Sequence, residues 1–132
     1  MIDHMSSYTL CFERSLVFYQ SALGTLGFPM TANLVADWEE VFPERRIAAF
    51  GPDGRNVFWI IETKMEVTPR HVAFSAANRD AVDAFYAAAM GAGGTDHGGP
   101  GVRPEYHQHY YGGFVLDPDG NNVEAVCHSP VE

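Results

Sequence analysis

The apolar positions of this chain change their period at regular intervals. Phe12, Leu16, Tyr19 and Leu23 recur at helical spacing, and so do Val82, Phe85, Ala89 and Met90, which predicts two amphipathic helices. Glu13 falls in the first turn of one; Asn78 is placed to cap the other, with Gly91 just past its end. The remaining apolar runs are short and strand-like. They cover about 2–9, 29–35, 41–50 and 56–63 in the first half, and 70–75, 94–98, 110–116 and 121–127 in the second. Pro118-Asp119-Gly120 joins the last two runs as a turn: proline presets φ, aspartate bonds back to the backbone, and glycine takes the left-handed angle. Gly51-Pro52-Asp53-Gly54 does the same in the first half.

This order of elements repeats. An offset of 67 lays His4 on His71, Glu13 on Asp80, Phe18 on Phe85, Tyr19 on Tyr86, Gly24 on Gly91 and Gly27 on Gly94. An offset of 66 lays Pro52-Asp53-Gly54 on Pro118-Asp119-Gly120 and Val57 on Val123. One gap separates the two matches. Each half therefore reads as βαβββ, an α+β fold of two modules in tandem. The expected organisation is a single domain over 1–132, with module one at about 1–65 and module two at about 66–132. Between Gly98 and His109 the second half carries a Gly-, Pro- and His-rich loop, of the kind that often forms a lid.

Composition narrows the class. The formal charge of −9 disfavours nucleic acid or an anionic membrane as partner. No apolar run approaches the roughly 18 residues of a membrane span, and Met1-Ile2-Asp3-His4 does not open a secretory signal. Cys11 and Cys127 are too few for a disulfide framework and are expected as reduced thiols in a cytoplasmic protein.

Glu124 is the anomaly: a carboxylate inside an apolar strand costs several kcal/mol to bury as an ion unless something compensates it. The repeat gives it company. His4 and His71 hold the same place in the two halves, and Glu124 stands on the last strand of the second. Its first-half counterpart is Phe58, or Trp59 after a one-residue slip, and neither is a ligand. Two imidazoles and one carboxylate make a facial triad with open positions, suited to a divalent metal. The alternative for the histidines is a hydrogen-bonded place in the core, and for Glu124 a solvent-facing edge strand.

The paired βαβββ plan, with His4 and Glu13-Arg14-Ser15-Leu16-Val17-Phe18-Tyr19, His71-Val72-Ala73-Phe74, and Asp117-Pro118-Asp119-Gly120-Asn121-Asn122-Val123-Glu124, resembles the vicinal oxygen chelate superfamily. That superfamily holds glyoxalase I, bleomycin- and fosfomycin-resistance proteins and extradiol dioxygenases. The resemblance spans nearly the whole chain. It implies a cupped mixed β-sheet with the helices outside, and a divalent metal (Fe, Mn, Ni, Zn or Co) held by His4, His71 and Glu124. It also implies a small substrate chelated through its oxygens, Glu124 as proton shuttle, and a homodimer. The non-ligand at Phe58 or Trp59 argues against strict glyoxalase I, which usually uses four protein ligands. The activities implied are a metal-dependent lyase, isomerase or transferase; a metal-free, bleomycin-resistance-like binding module; or an iron-dependent extradiol dioxygenase. The extradiol signature has a tyrosine where this chain has Phe114.

Further candidates surround the triad. His109 and His107 are placed at the rim, His109 as proton carrier and His107 as substrate contact, since imidazole titrates near neutrality. Phe58, Trp59, Tyr106, Tyr110 and Tyr111 read either as core or as an aromatic wall for substrate. Arg103 reads as the partner of a substrate carboxylate or as a solvated side chain.

Overall fold

The computed structural model describes residues 1–130. Its elements follow the repeat: β1 (Met5–Thr9), α1 (Phe12–Gly24), β2 (Met30–Val35), β3 (Arg46–Phe50) and β4 (Phe58–Glu62), then β5 (His71–Ser75), α2 (Arg79–Gly91), β6 (Thr95–Val102), β7 (Tyr111–Leu116) and β8 (Asn122–Cys127). They form two mixed four-stranded sheets, ordered β1-β4-β3-β2 and β5-β8-β7-β6. In each sheet the first strand runs parallel to the last and the other pairs are antiparallel. This is the tandem βαβββ fold, of class α+β. No helix among the described residues is long and apolar enough to cross a membrane.

Alternate residues of each strand point to opposite faces, and one face of each sheet packs on the helices. Phe58 and Ile60 from β4, Phe74 from β5, Val115 from β7, and Val123, Ala125 and Cys127 from β8 meet Phe12, Phe18, Tyr19, Leu23, Val82 and Phe85 of the helices in one cluster. The two halves share it: Phe58 of the first packs edge-on against Phe74 of the second, with ring centroids 5.3 Å apart. The other face of each sheet is left open.

The turn after β7 fastens the halves together. Asp117 is buried and accepts hydrogen bonds from the Asp119 amide (2.9 Å), the Asn121 amide (2.9 Å), Asn121 Nδ2 (2.8 Å) and the Tyr19 hydroxyl (2.5 Å). Burial, reinforced by Asp117, pushes the Tyr19 phenol well above its ordinary pKa, so it stays protonated and donates. Asp119 reaches the start of α1. Its Oδ1 accepts from the Leu10 amide at 3.0 Å and its Oδ2 from Ser15 Oγ at 3.2 Å. These bonds tie the second module to the lead-in and first turn of α1, whose N-cap residue Cys11 makes no side-chain capping bond.

Several boundaries differ from expectation. Strand β3 begins at Arg46 rather than 41, because the segment before it turns: Arg45 N bonds Phe42 O at 3.1 Å, and Pro43 lacks an amide for a ladder. The Gly- and Pro-rich stretch expected as loop continues β6 to Val102, broken by register shifts between Asp96 and Gly101. It survives as a strand because β6 is an edge, where proline and bulges are tolerated. Gly91 closes α2 instead of following it; Ala92 caps the helix, and the left-handed residue is Gly93, at φ 97°. Asn78 caps α2 as expected, its side chain accepting from Ala81 N at 2.8 Å.

Two outcomes test this account. Tyr19→Phe keeps the fold and lowers the unfolding free energy by about 1–3 kcal/mol, since the buried Asp117 carboxylate loses one of its donors; an unchanged denaturation midpoint refutes the clamp. The second concerns Glu62, whose hydrogen bond from Arg46 holds its carboxyl below the usual value of 4.5. A depressed carboxyl stabilises above its unfolded pKa, and that stability fades as pH falls through the folded one. Glu62→Gln therefore destabilises at neutral pH, and the difference fades as pH falls through the depressed folded value, which paired pH-dependent melts would show.

Candidate functional site

The open face of the second sheet carries His71 on β5, Gly112 and Phe114 on β7, and Asn122 and Glu124 on β8, as the register requires: Phe114 lies opposite Glu124, and His71 opposite Asn122. Glu124 is completely buried. His71 Nε2 stands 2.8 Å from its Oε1, and the Tyr110 hydroxyl donates to its Oε2. So the anomalous carboxylate does not face water; it is enclosed and held at both oxygens. Asn122 Oδ1, on the same face, is buried and has no partner among the described residues.

The lid over Glu124 is shorter than expected, from Arg103 to Tyr110. Arg103 N bonds Tyr110 O at 2.7 Å, closing its base. The Tyr110 ring is flanked by Tyr106 at 5.1 Å and His128 at 5.2 Å, and His107 lies 5.5 Å from His128. His109 extends the group, its ring 6.4 Å from His107 and its amide donating to His107 Nδ1 at 3.2 Å. Burial, then the hydrogen bond to Glu124, raises the Tyr110 pKa above that of an ordinary phenol. The arrangement needs Gly112, where a Cβ would stand 3.0 Å from Tyr110 Cε1 and 3.2 Å from Glu124 Oε2.

The structure therefore gathers His71, Glu124, Tyr110, Tyr106, His107 and His109, and leaves others out. His4 precedes β1 instead of lying midway along it. Its side chain is 55% exposed and contacts Asp3 at 2.8 Å. Among the described residues, no group of three or more His, Cys, Asp or Glu is placed to hold a metal. Phe58 cannot line the site, because it is packed between Tyr19 (5.0 Å) and Phe74 (5.3 Å) on the helix side. The counterpart of Glu124 is Trp59. Ala73, two residues past His71, pairs with Glu124, and Ser6, two residues past His4, pairs with Trp59. Tyr111 also faces α2, where its hydroxyl donates to Asp83 at 2.6 Å and Arg79 stacks on its ring. Arg103 is near the site but engaged, with Nη2 donating to Gly99 O at 2.7 Å and its guanidinium 5.4 Å over Phe114.

Sequence reasoning overlooked His128 and the partnership of Tyr110 with Glu124. His128 follows β8 directly, so continuing the strand alternation one residue past Cys127 puts it on Glu124's face. Nothing in the sequence marked Asn122.

Two βαβββ modules, each with one sheet face on a helix and the other open, define the vicinal oxygen chelate architecture. The chain belongs to the Glyoxalase/Bleomycin resistance protein/Dioxygenase superfamily, whose family model matches residues 1–125. Among solved structures it is similar to a glyoxalase/bleomycin resistance protein from Albidiferax ferrireducens. Identity is 26%, TM-score 0.74, with 95% of this chain and 97% of that one covered. A glyoxalase/bleomycin resistance protein/dioxygenase family enzyme from Burkholderia phytofirmans shares the fold at 17% identity, TM-score 0.66, covering 97% and 98%. Glyoxalase I from Zea mays shares it at 22% identity and TM-score 0.67; the match covers 96% of this chain but 45% of the maize protein. No curated protein sequence matches the chain.

Two substitutions probe the buried carboxylate. Tyr110→Phe costs about 1–3 kcal/mol in chemical denaturation, because a buried acceptor loses its donor. Glu124→Gln lowers the pH at which the Tyr110 phenol ionises, followed by ultraviolet absorbance in alkaline titration. If Tyr110→Phe is silent in denaturation and Glu124→Gln leaves the phenol titration unchanged, the Tyr110–Glu124 contact is refuted.

Proposed function

We propose that this chain takes a small oxygen-bearing molecule onto the open face of its second sheet and acts on it through Glu124. On this reading it is a divalent-metal-dependent enzyme of lyase, isomerase or transferase type. The observation that supports it is the enclosed carboxylate, fully buried yet held by His71 and Tyr110. A fold that buries a carboxylate must satisfy it, and such groups concentrate at reactive sites.

The residues partly fit a metal. Two donors each about 2.1 Å from one ion, at near right angles, stand about 3 Å apart. His71 Nε2 and Glu124 Oε1 are separated by 2.8 Å, so they suit two adjacent positions. The third proposed ligand, His4, is not with them, but it is exposed at the start of β1. A second copy of the chain would supply it in a homodimer. A bound divalent ion would act as a Lewis acid on a substrate oxygen. The chain's own part is separate. Tyr110 must swing off Glu124 Oε2 to admit a ligand, which frees that oxygen to accept or return a proton. The Tyr110 hydroxyl and the orphan Asn122 Oδ1 then offer a donor and an acceptor to the ligand. His109, His107 and Tyr106 stand at the mouth. The free thiols Cys11 and Cys127 suit a reducing, cytoplasmic compartment.

A second reading, a metal-free binding module, is favoured by one observation: both Glu124 oxygens already have partners within the chain. Metal analysis after chelation and reloading with Mn, Fe, Ni, Zn or Co separates the two. Stoichiometric metal, a dimeric mass, and loss of metal in both His71→Ala and His4→Ala are expected. If His71→Ala loses metal while His4→Ala keeps it, the shared site is wrong. If no metal binds but an aromatic ligand quenches tryptophan fluorescence in chelator, the binding-module reading stands instead.

A further inference from the structure

The face that holds Glu124 also carries a permanent cation without a counter-charge. Arg103 is half-buried, and its side chain forms no ion pair among the described residues. Its hydrogen bond goes from Nη2 to a neutral acceptor, Gly99 O, at 2.7 Å. A guanidinium has five N–H donors, so most of this one is left over, Nη1 included. Acids are not scarce: the chain has 17 Asp and Glu against 8 Lys and Arg. Even Glu105, two residues away in the lid, is exposed and does not pair with it.

The guanidinium has a fixed seat. It stands 5.4 Å over the Phe114 ring, and Phe114 lies opposite Glu124 in the sheet. The backbone beneath it is bare. A Cβ at Gly101 would come within 2.9 Å of Nη1, and one at Gly98 within 3.4 Å of Nη2. Gly101 pairs with Gly112, where a Cβ would stand 3.2 Å from Glu124 Oε2. Partnered Cβ positions are about 5 Å apart, so Nη1 and Oε2 are separated by no more than about 11 Å. The charge is felt across that gap: burial and the Glu124 hydrogen bond raise the Tyr110 phenol, and Arg103 opposes them.

We propose that Arg103 is the carboxylate subsite of the Glu124 face, and that the molecule taken there is a short hydroxy acid. This rests on the reading of that face as the ligand site. With Tyr110 swung aside, the ligand lies over the Gly101–Gly112 pair, its carboxylate on Arg103 and its hydroxyl on Glu124. Hydrogen bonds of about 2.8 Å at each end leave at most roughly 5–6 Å between the outer oxygens of the ligand, a span that two to four carbons cover. Charge limits the guest as well. One arginine beside one buried carboxylate suits a monoanion, whereas a phosphate dianion would bring a surplus charge up to Glu124. Arginine's planar fork also matches a carboxylate.

Titration of glycolate, 3-hydroxypropionate and 4-hydroxybutyrate into the whole protein, followed by amide-shift NMR in chelator and again with Zn2+, tests this. At least one acid is expected to saturate, and its carboxamide to bind about tenfold or more weakly. Arg103→Gln removes that preference, so that acid and carboxamide bind alike, and an unchanged melting curve shows that the fold is intact. An acid preference that survives Arg103→Gln, or no saturable shift from any of the three acids at about 50 mM in either condition, overturns the proposal. Glu124→Gln reads the other end. If carboxamide binding is indifferent to it while Arg103 still sets the acid preference, the carboxylate subsite stands and the Glu124 reading falls.

Discussion

Which face of a strand meets the helices decides nearly everything else in this molecule. The core commits Phe58, Ile60, Phe74, Val115, Val123 and Ala125 to the helix side. Residues one step away are then committed to the open side, because side chains alternate without exception along a regular strand. His71, Phe114, Asn122 and Glu124 gain their common face from this packing, not from any attraction among themselves. The site is a by-product of where Val123 and Ala125 have to be. Its precision comes from a core that both modules share across the Phe58–Phe74 contact.

The fold was legible because its signals are local. Helical periodicity, an Asn78 cap and two Pro-Asp-Gly turns survive in the sequence whatever the rest of the chain does. The site was less legible because it depends on register. The sequence offset points to Phe58 as the counterpart of Glu124, and to Trp59 only after a one-residue slip. Only the β1–β4 pairing, which sets Trp59 against Ser6, decides for Trp59. Tyr111 stayed open between core and wall for the same reason: Tyr110 ends the lid, whereas Tyr111 belongs to β7, packs on the core and faces α2. His4 and His71 look equivalent in sequence, but only His71 reaches the buried carboxylate of Glu124 on its sheet. Glycine and proline misled in another way: they mark turns when read locally, but an edge strand such as β6 can absorb them as bulges.

The asymmetry between the modules is chemical more than structural. One open face holds a buried acid with three polar neighbours; the other presents Trp59 and Ala49 opposite each other. The Pro-Asp-Gly turns differ likewise. Asp53 carries a positive φ of 53° at the end of β3 and makes no inter-module contact, whereas Asp117 and Asp119 reach into α1. The two halves share one architecture, with the acid in one and the aromatic surface in the other.

The bond from Leu10 N to Asp119 spans 109 positions of chain. The amide that donates it belongs to the first module, and its acceptor to the second. Without the second module, the Leu10 amide just ahead of α1 and the Tyr19 hydroxyl lack these acceptors. The Asp117–Asn121 turn closes the first module like a clasp. Non-local closure of this kind slows folding and joins both halves into one cooperative unit. A chain lacking that turn would be missing more than its own strand: Leu10 and Tyr19, in the other module, would lose their acceptors.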